Sequence, residues 1–334
     1  MKSGFCVFWL VAMCHAYTRH MLHRKLLLQY ATMYKMRMST LCVTQPKVLV
    51  LSCGSTGRAI AQVMKQNGHH VTIATTKPKR VSSLNQICDN VVVIPQIETK
   101  EDEELTDCLV SSNYLVMADT IKIFSPHTYV RTAKRVKTII EKHAWGGSVG
   151  LISSENAYGN PRRGEELRES GMIYSSLMNR TQWKLNTNIM ALQIRHAENM
   201  ILSSTPKSFV FRTAGIWDEN KFFNVASFTA KKEFNEGVGN SWMTLTTTNM
   251  ISHAVMKAFQ KDAKGIYNLA NFPPMRRKDF LRSLHCIYGM ENTKWTDKEL
   301  DMDIMFSTDP DPFLPSSQRS NSRLRCEKVQ KILE

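Results

Sequence analysis

KVLVLSCGSTGRAIAQVMKQNGHHVTIATTKPKR, residues 47–80, reads as strand, tight turn, helix, turn and strand. Val48, Leu49, Val50 and Leu51 form a short apolar run, which suits a strand buried on both faces. Ser52-Cys53-Gly54-Ser55-Thr56-Gly57 follows, and then Ala59, Ile60, Val63 and Met64 at helical spacing. Asn67-Gly68 predicts the end of that helix, because both residues tolerate the left-handed conformation a helix terminus needs. Val71 to Thr75 is a second strand, running into Thr76-Lys77-Pro78-Lys79-Arg80. This is a βαβ opening with a glycine-rich first turn.

Such a turn must be built of small residues if its backbone N–H groups are to approach a pyrophosphate at the helix N-terminus. The usual pattern is G-x-G-x-x-G; here it is S-x-G-x-x-G, with Ser52 in the first glycine position. Serine makes this turn only if its backbone stays in a permitted region. The strand before and the helix after are the context that turns the pattern into a dinucleotide signal. The candidate cofactor residues are therefore Ser52, Cys53, Gly54, Ser55, Thr56 and Gly57, with Ala118 at the end of a later strand. An NAD site commonly has an acid about 20 residues after the glycines, yet no acid lies between Gly57 and Asp89. Thr75, Thr76, Lys77 and Arg80 stand there instead, and hydroxyls and cations suit the 2′-phosphate of NADP, with NAD as the alternative. A glycine turn without ligand and a solvated basic loop are the structural readings of the same residues.

Further along, Asn90–Pro95, Asn113–Ala118, Gly147–Ser153 and Ser208–Thr213 read as strands. Ile97–Cys108, His127–His143 and Leu185–Leu202 read as helices. This alternation predicts an α/β fold, a doubly wound parallel sheet of Rossmann type. Ile251–Phe259 (helix), Gly265–Leu269 (strand) and Asp279–Tyr288 (helix) then suggest a small C-terminal α/β lobe over roughly 215–334. Asp309–Ser320, rich in Pro and Ser, reads as loop. No linker divides the chain after Thr44, so residues 45–334 read as one domain with the lobe woven onto it.

The 334 residues carry a net charge of +15, unevenly spread. Six basic residues and no acid precede Thr44; without them the charge falls to +9, which weakens a nucleic-acid reading. Residues 1–16 resemble a signal peptide: Lys2, an apolar run from Phe5 to Met13, then Cys14-His15-Ala16. That run is too short to span a membrane. Residues 17–44 are basic and acid-free, like a transit peptide. The pair resembles the bipartite leader of secondary plastids, although Tyr17 stands where such leaders usually have Phe; a mitochondrial presequence is the alternative. Eight scattered cysteines with no C-x-x-C, and ten scattered histidines, point away from a disulfide framework and from a metal site.

Several later motifs resemble those of one family. They are Ile152-Ser153-Ser154-Glu155-Asn156-Ala157-Tyr158-Gly159, Gly164-Glu165-Glu166-Leu167-Arg168-Glu169, Arg212-Thr213-Ala214-Gly215-Ile216-Trp217, Gly265-Ile266-Tyr267-Asn268-Leu269 and Asn321-Ser322-Arg323-Leu324-Arg325. With the glycine turn, they resemble an atypical or extended short-chain dehydrogenase/reductase of the NAD-dependent epimerase/dehydratase superfamily, and within it the YeeZ-like, nucleoside-diphosphate-sugar epimerase-like branch. The resemblance covers nearly all of the chain from Lys47 onward.

In that family a Ser, a Tyr and a Lys carry the chemistry. A phenol with pKa about 10 is a poor base at neutral pH unless a cation stabilises its anion. The resemblance puts Ser154 on the catalytic Ser. Counting back from Glu198, the Tyr and Lys positions hold Met190 and Ile194, and no Y-x-x-x-K occurs in the chain. Tyr158 is a candidate replacement, against a structural role at the sheet's edge. Lys184 or Arg195 could hold the ribose, Tyr174 has no evident partner, His196 reads as a surface residue, and Arg162 and Arg163 could meet a substrate phosphate. Two functions remain open: an NADP-dependent oxidoreductase or epimerase-like enzyme acting on an unidentified small molecule, or an inactive NADP-binding scaffold, sensor or assembly factor. The long helix from Leu185 also offers a homodimer surface of the kind family members use.

Overall fold

Val48 and Val50 pack on one side of β1 (Lys47–Leu51) and Leu49 and Leu51 on the other, all four buried. A strand apolar on both faces needs helices on each side of its sheet, and the computed structural model of the chain has that layering. The structure describes residues 45–52, 54–95, 103–118, 126–158, 165–171, 182–217, 234–235, 242–271, 273–276, 279, 295–296 and 322–334. The chain divides into units 1–45 and 46–334, and apart from Gln45 the described residues belong to the second. The helix read at Asp279–Tyr288 beyond its first residue, the loop at Asp309–Ser320 and the leader fall outside the described residues.

After β1 come α1 (Ser55–Gln66), β2 (His70–Thr75), α2 (Val81–Leu84) and β3 (Asn90–Val93). Next are α3 (Glu103–Val110), β4 (Tyr114–Met117), α4 (Pro126–Lys142), β5 (Ser148–Ser154) and β6 (Glu165–Leu167). Then follow α5 (Gln182–Leu202), β7 (Ser208–Thr213), β8 (Gly215–Trp217), β9 (Phe234–Asn235), β10 (Trp242–Met243) and β11 (Leu245–Thr247). The last are α6 (Thr248–Gln260), β12 (Gly265–Leu269), β13 (Met275–Arg276), β14 (Trp295–Thr296), β15 (Ser322–Leu324) and α7 (Glu327–Leu333). The main sheet has the order β12-β7-β5-β4-β1-β2-β3, with every neighbouring pair parallel. This is the doubly wound Rossmann arrangement, with its switch point at β1, from which the chain runs outward in both directions.

One face carries α1, α6 and α7, whose Ile60, Met64, Ile251, Val255, Val329 and Ile332 meet Val48, Val50, Ile73 and Phe211. The other carries α3, α4 and α5, with Leu105, Ala133, Val136, Ile194 and Ile201 against Leu49, Leu115, Leu151 and Val210. β12 and α6 lie within the stretch read from sequence as a lobe, yet β12 is the edge strand of the main sheet and α6 packs on α1. The five-residue run Gly265–Leu269 is therefore core, with Tyr267, Asn268 and Leu269 all buried.

The end of α1 follows from its sequence. Gly68 has φ of 81°, its N–H bonds Lys65 O, and His69 N–H bonds Met64 O, so the last carbonyls of the helix are satisfied.

Candidate functional site

β1 ends at Leu51, and the backbone turns at Ser52 with φ of 129°. That φ lies where side chains are disfavoured and glycine is at home, so the permitted backbone expected of Ser52 is not what the turn adopts. A conformation of this kind persists only when its surroundings over-determine it. Three contacts do so. Ser52 N–H donates to Ala74 O of β2 at 3.2 Å. Its hydroxyl oxygen accepts from Gly54 N–H at 3.2 Å. Its carbonyl oxygen lies where a β-carbon on Gly57 would come within 2.5 Å of it, which only glycine avoids.

Gly54 is the N-cap of α1, in extended conformation (φ −70°, ψ 174°), with no side-chain cap and no acid in the first turn. The positive end of the helix dipole is therefore met by no carboxylate of its own turn, which suits an anion. Thr56 and Gly57 are buried beneath it. Cys53, between Ser52 and Gly54, lies outside the described residues. β2 and β4 flank the turn: Ala118 N–H donates to Leu51 O at 3.0 Å, so Ala118 sits directly beside it. Ser52, Gly54, Ser55, Thr56, Gly57 and Ala118 are thus gathered at the carboxyl ends of β1 and β4, on the crevice where this sheet order places a dinucleotide.

Beyond β2, Thr75 is buried and its hydroxyl accepts from Lys77 N–H at 3.1 Å, turning the chain. Thr76, Lys77, Lys79 and Arg80 are exposed on that turn. The first acid of the chain, Asp89, sits at the other end of the sheet. Its carboxylate accepts from Val71 N–H at 2.8 Å and pairs with Lys65 at 3.0 Å. Neither β2 nor the turn that follows it, through Arg80, carries an acid of its own.

The acid/base positions are apolar in space as well as in sequence. Met190 and Ile194 are buried between α5 and the sheet. Ser154 ends β5, half-buried, and its Oγ accepts from Asn156 N–H at 3.2 Å and from Asn156 Nδ2 at 2.9 Å. Tyr158 is fully buried, and its hydroxyl donates to Asn268 Oδ1 at 2.6 Å. Burial pushes its phenol pKa up, while Arg212, whose guanidinium lies 4.7 Å over the ring, opposes that rise. The geometry gives Tyr158 a packing and hydrogen-bonding role. Arg195 donates to Ala157 O and Gly171 O, both at 2.7 Å, and His196 is exposed on α5. Tyr174, Arg162, Arg163 and the side chain of Lys184 lie outside the described residues.

The motifs that carried the family resemblance meet in one buried polar network. Glu198 of α5 pairs with Arg212 of β7 at 2.6 Å, with both side chains almost wholly buried, and accepts from Ser153 Oγ at 2.6 Å. Burial opposes the charge of Arg212, but the Glu198 carboxylate outweighs it and holds the guanidinium above its ordinary pKa. Arg212 also donates to Glu169 O at 3.4 Å. Asn268 of β12 donates from Nδ2 to Leu167 O at 2.9 Å and to Arg325 O at 3.1 Å, and from its N–H to Glu169 Oε1 at 3.0 Å. Sequence reasoning had no means of finding this closure, since Tyr158 and Asn268 are 110 positions apart. Among the described residues there is no cluster of three His, Cys, Asp or Glu that could hold a metal, and no helix long and apolar enough to cross a membrane.

Comparison with known proteins separates the two halves. The N-terminal domain model of NAD-dependent glycerol-3-phosphate dehydrogenase matches residues 47–149, from β1 into β5. Glycerol-3-phosphate dehydrogenase [NAD(P)+] of Enterococcus faecalis is 33% identical over 86 residues, 26% of this chain and 25% of that protein. The match thus spans about a quarter of the relative's length. Solved structures extend the likeness over the fold. UDP-N-acetylglucosamine 4-epimerase of Bacillus cereus aligns with TM-score 0.60 at 13% identity, covering 86% of this chain and 93% of that one. dTDP-glucose 4,6-dehydratase of Bacillus anthracis, in complex with NAD, aligns with TM-score 0.61 at 12% identity, covering 86% and 89%. The chain therefore has an NAD(P)-binding type of Rossmann fold, shared with epimerase/dehydratase structures, in agreement with the motif resemblance.

Proposed function

We propose that this protein holds a nicotinamide dinucleotide, NADP in preference to NAD, and works without the tyrosine–lysine acid/base pair of the enzymes it resembles. The pyrophosphate lies on the α1 N-terminus at Gly54 to Gly57, and the adenosine 2′-phosphate meets Thr76, Lys77 and Lys79. The observation that carries the cofactor reading is the acid-free start of α1 at the switch point, closed by a glycine that tolerates no β-carbon. The lack of an acid in β2 and in the turn that follows it supports NADP. Met190 and Ile194 in the core support a binding role, as scaffold, sensor or assembly factor, over phenol-based redox chemistry.

A second reading, an atypical oxidoreductase or epimerase-like enzyme, is favoured by Ser154. It stands at the carboxyl end of β5, where it could hydrogen-bond a substrate oxygen. The leader's composition supports delivery to a plastid, and Ile189 and Leu192, exposed on α5, support a homodimer through that helix.

The test is thermal unfolding of the chain with NADP, NADPH, NAD and NADH in turn. A ligand that binds only the folded state raises the midpoint. The expected result is a larger shift with NADP(H) than with NAD(H), lost in Gly54→Asp; no shift with any of the four overturns the reading. Consumption of NADPH with any member of a carbonyl panel would favour the enzyme reading over the scaffold.

A further inference from the structure

Ser52 stands in the first position of the phosphate turn, and its effects there do not follow from the cofactor reading alone. Its φ of 129° is a conformation that glycine enters freely and serine does not. Its hydroxyl oxygen takes up the N–H of Gly54, the N-cap residue of α1. That N–H belongs to the set of helix-start donors that a pyrophosphate oxygen would engage. The residue is also held from two other sides, through its N–H on Ala74 O and its carbonyl against Gly57. The turn consequently has little freedom to swing the hydroxyl away by moving its backbone. A glycine in the same place would have neither the strain nor the hydroxyl.

We infer that Ser52 is the residue that sets the dinucleotide affinity of this site, by acting as an internal cap on the Gly54 amide that a phosphate oxygen must displace. This rests on the cofactor reading above. Binding exchanges one hydrogen bond for another at Gly54 instead of making a new one, and so weakens the site relative to a glycine turn. The hydroxyl oxygen and the phosphate oxygen compete for the same donor. The ligand chemistry is a dinucleotide pyrophosphate, and discrimination between NADP and NAD is left to the residues after β2.

The experiment compares wild type, Ser52→Gly and Ser52→Ala by titration with NADPH and with NADH, followed through nicotinamide fluorescence, and by thermal unfolding without ligand. Both variants free the Gly54 amide, whereas only Ser52→Gly also removes the strain. The inference expects both to bind the preferred dinucleotide about three- to tenfold more tightly than wild type, the worth of one net hydrogen bond. It also expects Ser52→Ala, strained and without its hydroxyl bond, to unfold at a lower temperature than Ser52→Gly. Equal affinity in all three, with wild type binding, overturns the inference and leaves the cofactor reading standing. Weaker binding in Ser52→Ala also overturns it, by making the hydroxyl a ligand contact. Folded protein that binds neither dinucleotide in any of the three forms removes the cofactor reading, and the inference with it.

Discussion

The carbonyl oxygen of Ser52 faces Gly57 so closely that a β-carbon on residue 57 would lie 2.5 Å from it. Strand end and helix start are thereby locked at a spacing that only glycine permits. Gly57→Ala is expected to cost about 1–3 kcal/mol, the range for overpacking, and to displace the turn. Urea unfolding would read the loss of stability. The same protein, still folded at low temperature, should have lost its midpoint shift with NADP(H).

Glu198 and Arg212 form a pair from which water is almost wholly excluded. Glu198→Ala leaves a buried guanidinium without its carboxylate, against the Tyr158 ring and the Glu169 carbonyl, and should destabilise by about 3–5 kcal/mol. Replacing both residues by Leu and Met of similar volume should recover a large part of that loss. Chemical denaturation of Glu198→Leu, Arg212→Met and the double variant tests this, and additive losses in the double variant would contradict it.

The Tyr158 hydroxyl donates a hydrogen bond to Asn268 Oδ1 at 2.6 Å. Tyr158→Phe should therefore cost about 1–2 kcal/mol, the penalty for a buried acceptor left without its donor. If the protein proves to be an enzyme, kcat should change little beyond what lost stability explains, because the hydroxyl is buried and engaged with Asn268. A fall in kcat of several hundredfold at full folding would instead make Tyr158 the acid/base.

Alkaline pH should loosen the fold through its thiols. Burial pushes Cys326 from its ordinary 9.0 up to about 12. The folded state keeps this proton where the unfolded chain gives it up, so the stabilisation is complete below about pH 9. It is lost progressively up to about pH 12, at no more than about 1.4 kcal/mol per pH unit. Tyr158 is shifted in the same direction by its burial. Urea midpoints at about pH 8 and about pH 11 should differ less in Cys326→Ala than in wild type.

Lys77 and Lys79 are exposed at the end of β2. Replacing both with Ala should weaken NADP by roughly tenfold or more, as expected for charge-assisted bonds to phosphate, and leave NAD unchanged. Parallel titrations settle the matter, and equal losses for the two cofactors would make the lysines a general electrostatic contribution.

Residues 47–80 disclosed the sheet because every rule they obey is local: an apolar strand, small residues at a turn, helical spacing, and a glycine stop. Gly68 behaves as read for the same reason. Ser208–Thr213 and Gly265–Leu269 were legible to the residue, as short apolar runs between breakers. The membership of β12 in the main sheet was not, since strand order is decided by packing across the whole chain. The network around Arg212 was hidden for a similar reason. Its motifs could be quoted one by one, but nothing in Glu169, Asn268 or Arg325 alone says that they converge. At Ser52 the sequence asked for a permitted backbone, and the structure departs from it: the contacts around the residue hold it at φ of 129°.

Val329 and Ile332 of α7 belong to the same apolar cluster as Val48 of β1. β15 pairs with β6, and Arg325 reaches back to Glu166 at 2.6 Å. A ribosome thus releases the first strand of this domain long before α7, which packs on β12 and α6 and completes that cluster, exists. Until then the nascent chain carries a sheet with an open apolar flank, a surface that invites chaperones and discourages early closure. Completion is tied to contacts of long sequence separation, which slow folding. Trimming residues 322–334 should accordingly be felt as failed maturation of the whole domain, and not as the loss of an appendage.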